Sequence, residues 1–310
     1  MLARINAIAM NTYREAVRAR VLLALLALAL GTCLFSLLVA TLSLHNEPRV
    51  IADIGSGSIS LYAVVVAIVL GATSLHRELE YKTIFPILAR PIARHEYLLG
   101  KYLGTLLTLA VFIAIDGGAV LGLLALESDQ SPKVVGAVVA LLLAILCVLF
   151  LRARFTRAFV VIPWSVAFFA AMALLAAPAG DQRKLVALSA LLTLCEVGIV
   201  AAVATLFSSF SSPFLTAAFT VGVFVVGRSA DTLANLPEKS YGELAHDLGA
   251  GLARVFPNLH VYVPPRSLLI GQVTDVSLPG YMASSAAQAF FYAGALLTVS
   301  ALVFRKRDFQ

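Results

Sequence analysis

Charge is scarce in this 310-residue sequence: Asp, Glu, Lys and Arg together make up 13% of it, against roughly 25% in an average soluble chain. Chains that stay solvated by charge, intrinsically disordered ones above all, are thereby excluded. Cysteine is nearly absent, with only Cys33, Cys147 and Cys195. An odd number, each set inside an apolar run, reads as small buried hydrophobes and not as a disulfide framework or a thiolate metal set. Motifs that carry chemistry are missing too. The nearest approach to a phosphate-cradling Walker loop is Gly100-Lys101, but Tyr102 follows it and His95 stands where the first glycine belongs. There is no HExxH and no GxSxG. The histidines (His45, His76, His95, His246, His260) are scattered, and the Ser208–Ser212 cluster has no partner base in view. No catalytic, cofactor-binding or metal-ligating set is expected, and the chain does not read as an enzyme.

Apolar residues are abundant, at 60% of the chain with a mean hydropathy of +0.93. A soluble globule has too little interior to hide that much apolar surface, so lipid must solvate much of it. Eight apolar segments stand out, at about 21–43, 59–75, 102–125, 133–151, 158–178, 185–207, 213–230 and 282–304. Each approaches or exceeds the ~20 residues that carry a helix across a ~30 Å hydrocarbon core. They are apolar continuously, not alternately, so they read as helices and not as barrel strands. The first is too long for the core of a cleaved signal peptide and is expected to stay in the mature protein. Placing the N-terminus in the cytoplasm puts fifteen Lys and Arg residues inside and eight outside, the asymmetry that orients membrane proteins. The same rule accounts for the net charge of +6 without nucleic acid. The expected fold is all-α: one polytopic helix bundle over 1–310, about eight spans, both termini cytoplasmic.

Three stretches are not expected to span. Residues 4–19 place Ile5, Ile8, Ala9, Thr12 and Ala16 at helical spacing, with Arg4, Asn11, Arg14 and Arg18 largely off that face, which predicts an amphipathic helix lying in the membrane interface. Residues 231–280 form the largest external loop, where Leu244, Leu248, Leu252 and Phe256 predict a short amphipathic helix packed on the outer face. Residues 76–101 form the largest cytoplasmic loop, with both charge signs around Tyr81, Phe85 and Ile87. Such a mixture of charges and apolar anchors suits docking of a soluble partner. Inside the spans, Asp116 and Glu196 are acids in apolar surroundings; each must face a polar cavity, pair with a base or be protonated. They are candidate members of a transport pathway. Gly117 and Gly118 beside Asp116 permit close helix approach. Arg228 and Asp231, three apart, read as a local pair near a helix end.

The run from Arg77 (R-E-L-E-Y-K-T) through R90-P-I-A-R94 to L99-G-K-Y resembles the first cytoplasmic loop of ABC-2 type transporter permeases. N11-T-Y-R-E15 resembles their elbow helix, L206-F-S-S-F-S-S their serine-rich turn, and F304-R-K-R-D-F309 their usual ending. The resemblance implies a membrane subunit of an ATP-driven transporter, an exporter in a bacterial inner membrane. It implies a second permease copy and two copies of a cytoplasmic ATPase that bind ATP and Mg. It also implies a coupling helix at about Arg77–Leu88, so that Arg77, Glu78, Glu80, Tyr81, Lys82, Arg90 and Arg94 are the expected ATPase-coupling residues. The common plan has six spans, so 133–151 and 158–178 read as an added pair. The alternatives are a proton- or ion-coupled carrier using Asp116 and Glu196, and a membrane anchor or assembly factor that transports nothing.

Overall fold

The computed structural model of the chain describes residues 1–43, 46–80, 93–128, 130–153, 156–236, 242–271 and 277–306. These form twelve α-helices: α1 (Leu2–Arg18), α2 (Arg20–Ala40), α3 (Glu47–Glu80), α4 (Arg94–Leu126), α5 (Pro132–Arg152), α6 (Arg157–Leu175), α7 (Asp181–Ser208), α8 (Pro213–Arg228), α9 (Ala230–Ala234), α10 (Glu243–Val255), α11 (Arg266–Leu269) and α12 (Leu278–Lys306). No strand occurs among the described residues. Seven helices, α2 to α7 and α12, are long and apolar enough to cross a membrane. Exposed leucines and phenylalanines crowd their outer surfaces, Leu38 at 66% and Phe290 at 75% for instance, a surface that only lipid would solvate cheaply. The architecture is that of a multi-pass helical membrane protein.

The eighth expected segment, 213–230, is α8, which has 16 residues and so reaches only about 24 Å. It begins at the serine-rich turn, where Ser211 and Thr216 share a hydrogen bond of 2.7 Å, and ends at Arg228 beside the middle of α7. The segment that follows α10 closes over that end: the Leu259 N–H donates to Gly227 O at 2.9 Å.

The core is made by α3, α4 and α7, with α2 and α12 packed around them. Small residues set the spacing. A Cβ on Gly71 of α3 would lie 2.4 Å from Ala204 Cβ of α7, so these two backbones lie as close as membrane helices pack. Helices α5 and α6 are peripheral. Within α5 only Val135 is buried, and within α6 only Ser165 and Met172; α6 contacts α4 through Phe168 and Phe169, which fill the space left by Gly118 and Gly117. Cys147 on α5 is exposed, contrary to the expectation that all three cysteines are buried, because α5 turns most of its surface outward.

The amphipathic N-terminal helix forms, but its apolar face meets protein. Ile5, Ala9, Thr12, Tyr13 and Ala16 are buried against α4, where Gly100 and Gly104 admit Ile8, Ala9 and Thr12. The Tyr13 hydroxyl donates to Ala158 O of α6 at 2.9 Å, and burial pushes its phenol up to about 12. Glu96 of α4 caps its own helix by accepting from Ala93 N–H and pairs with Arg4 at 3.6 Å. The Arg94 guanidinium donates to Phe304 O of α12 at 3.1 Å. The start of α1 and Phe304 near the end of α12 therefore lie at one face of the bundle, beside the start of α4.

Candidate functional site

At the opposite face, α3, α7, α8 and the segment at 262–269 line an open cavity of about 260 Å³. Its wall is polar where α3 supplies Asp53, Ser56, Gly57 and Ser60 and α7 supplies Ser189 and Thr193. The first turns of α3 look too polar to lie in a bundle, and the expected span began only at residue 59. They stay helical because the serines satisfy themselves locally, Ser56 on Asp53 O at 3.2 Å and Ser58 on Gly55 O at 2.8 Å, while Gly55 lets Val120 of α4 approach. Sequence runs of small polar residues of this kind mark a helix that lines a cavity, a signal present at 55–60 but overlooked when only apolarity is scored.

The cavity floor is an ion pair. Glu196, on α7, is fully buried, and its Oε1 accepts from the Arg228 guanidinium of α8. Ser60 completes the group: its hydroxyl donates to Glu196 Oε2 at 3.3 Å and accepts from Arg228 Nη2 at 3.4 Å. Arg228 is not the local partner of Asp231. Asp231 instead accepts from Asn258 Nδ2 at 2.7 Å and lies 3.9 Å from His260. The reason is burial. Glu196 has no water to solvate it, so the cation that can reach it is held there, whereas Asp231 is about half exposed.

The cavity rim is a second cluster. Arg266, at the start of α11, bridges Asp53 of α3 and Gln182 of α7. Tyr262 roofs the cavity; its hydroxyl donates to Ser285 O of α12 at 3.2 Å, and burial raises its phenol well above the ordinary tyrosine range. The segment holding Tyr262 and Arg266 is thus tied to α3, α7 and α12 by polar contacts. Nothing in the sequence singles out Arg266 or Asp53, which lie 213 residues apart.

Asp116 does not join this site. It is fully buried on α4, and neither carboxyl oxygen has a hydrogen-bond partner. Of the three ways to hold an intramembrane acid, Glu196 takes the paired one. Asp116 has neither cavity nor base among the described residues.

The coupling-loop residues divide. Arg77, Glu78 and Glu80 lie on the backbone of α3, which runs on past its apolar stretch to Glu80. A helix needs apolar residues only inside lipid, and a search for apolar runs stops short of its charged end. Arg94 opens α4 and ties it to α12, as above. Tyr81, Lys82 and Arg90, with the rest of 81–92, lie outside the described residues. In the external loop the expected helix is α10, but Leu248 is 67% and Leu252 39% exposed. The helix packs on α9 through Gly249, a Cβ on which would meet Leu233 O at 2.6 Å, and its leucine stripe faces outward.

Fold and site together define a multi-pass helical membrane protein with an open, partly polar cavity flanked by two arginine-centred clusters. Neither a protein-family model nor a curated protein matches the sequence.

Proposed function

We propose that the chain is the membrane permease subunit of an ABC exporter in a bacterial inner membrane, with both termini in the cytoplasm and eight passes, seven made by the long helices and one by the short α8 with the chain that follows Arg228. The observation that carries this reading is α3. It has 34 residues, about 51 Å at 1.5 Å per residue, which exceeds the ~30 Å core. One continuous helix therefore joins the cavity wall at Asp53–Ser60 to the charged stretch at Arg77–Glu80, in the region that resembles an ABC-2 coupling loop. Two ATPase subunits closing on ATP and Mg would push on the 76–101 stretches of two permease copies. Tilting α3 against α7 would then move Asp53, Ser56 and Ser60 relative to Arg266, Glu196 and Arg228, opening the cavity. The substrate would pass between or through the permease copies, with the ATPase as the only site of hydrolysis.

The test is charge reversal at Glu78→Lys and Glu80→Lys in the reconstituted complex. The expected outcome is loss of transport with ATP hydrolysis retained and the purified bundle still folded. Normal transport by both variants would overturn the coupling assignment.

A further inference from the structure

A second recess lies at the face that carries both chain ends. A narrow groove runs between α1, α2 and α3, with apolar walls formed by Ala16, Leu22, Leu25, Val66, Val69 and Leu70. It opens at Glu15 and Ala19 into a shallow bowl on α1 formed with Asn11, Arg14 and Arg18. Ala19 is the single extended residue (ψ 123°) between α1 and α2. The bowl therefore sits at the junction between the amphipathic α1 and α2, a helix long and apolar enough to cross a membrane. The groove descends from it along the first turns of α2.

The recess has the polarity of an amphiphile: apolar inside, positive at the mouth. Arg14 and Arg18 are one helical turn apart on α1. The Arg14 guanidinium sits 5.0 Å over the Phe159 ring, which fixes its direction. Arg18 makes no ion pair or hydrogen bond among the described residues and is exposed. Glu15 offers an acceptor beside the two cations. A phosphate would answer the arginines, headgroup hydroxyls would answer Glu15, and the upper methylenes of an acyl chain would enter the groove, whose free space is about 60 Å³. A second protein chain would need a charged tip on a thin apolar stem to do the same.

We propose that this composite site binds one anionic phospholipid, its phosphate at Arg14 and Arg18 and one acyl chain between α2 and α3. The lipid would wedge the α1–α2 junction against α3, the helix that reaches the outer cavity. This rests on the chain being a membrane protein and not on its coupling to an ATPase.

The experiment places the full chain in phosphatidylcholine nanodiscs doped with about a tenth phosphatidylglycerol, an anionic lipid, and counts retained lipids by native mass spectrometry. One phosphatidylglycerol per chain is expected, in preference to phosphatidylcholine. Arg18→Gln should weaken that preference about fivefold and Arg14→Gln with Arg18→Gln about 25-fold, one factor for each charge at the membrane surface. Val69→Phe, which narrows the groove but leaves the charges, should also lose the lipid. Arg18 is exposed, so its variant tests the headgroup without disturbing packing. Equal retention of phosphatidylcholine by the parent, or undiminished phosphatidylglycerol on Arg18→Gln, would overturn the proposal. So would displacement of the lipid by millimolar glycerol phosphate, since the groove would then contribute nothing.

Discussion

Removing the Arg228 guanidinium leaves the Glu196 carboxylate fully buried and unpaired, whereas removing the carboxylate leaves an arginine that is partly exposed. The side-chain exposures are 29% for Arg228 and 0% for Glu196. Breaking a buried pair by deleting one partner costs about 3–5 kcal/mol. Arg228→Met should fall at the lower end of that range, about 3 kcal/mol, because the cavity hydrates part of the pair. That is roughly a 150-fold shift in the unfolding equilibrium. Glu196→Gln keeps an acceptor for Ser60 and strands only a partly hydrated cation, so about 1–2 kcal/mol is expected. The double variant has no charge left to strand and should lie within about 1 kcal/mol of the parent. The assay is reversible unfolding in bicelles, run as a double-mutant cycle at neutral pH. An additive double variant, with an interaction energy under about 0.5 kcal/mol, would refute the pair as the cavity floor. So would Glu196→Gln being the worse of the two single changes.

Two further outcomes test the packing and the rim. Gly104→Val should detach α1 at a cost of about 1–3 kcal/mol, because a Cβ there already lies 2.5 Å from Ala9 O; an Ala9→Cys thiol should then react quickly with a water-soluble maleimide, while Gly222→Ala, which meets nothing within 4 Å, should change neither stability nor labelling. Arg266→Gln removes the bridge between Asp53 and Gln182, so a Ser189→Cys thiol in the cavity should label several-fold faster from the face opposite the chain ends; an unchanged rate would mean that the bridge does not close the rim.

Much of the fold is legible because lipid imposes a simple rule: a helix crossing it must be apolar for about twenty residues. That rule finds every long helix here. It misplaces ends, since α3 begins at Glu47 and finishes at Glu80 in polar sequence on both sides of its apolar middle. It also says little about which way an apolar face points, because lipid accepts apolar surface as readily as the core does; hence the outward leucines of α10 and the peripheral α5. The site is legible in one half. Glu196 announces itself as an acid that needs a partner, but the partner is chosen by three-dimensional proximity. Arg228, 32 residues on, looks in sequence like the neighbour of Asp231. The rim is less legible still, since Arg266 and Asp53 are ordinary loop-edge charges until the fold brings them together.

The proposal that an ATPase drives this bundle is tested most directly by what it binds. The measurement is to tag the C-terminus, extract the native membrane in mild detergent, and identify the proteins that co-purify in stoichiometric amount. The account predicts an ATP-binding protein, retained by the parent and lost or weakened on Glu78→Lys with Glu80→Lys. A chain that purifies without any ATP-binding protein, in every detergent that keeps the bundle folded, would contradict it.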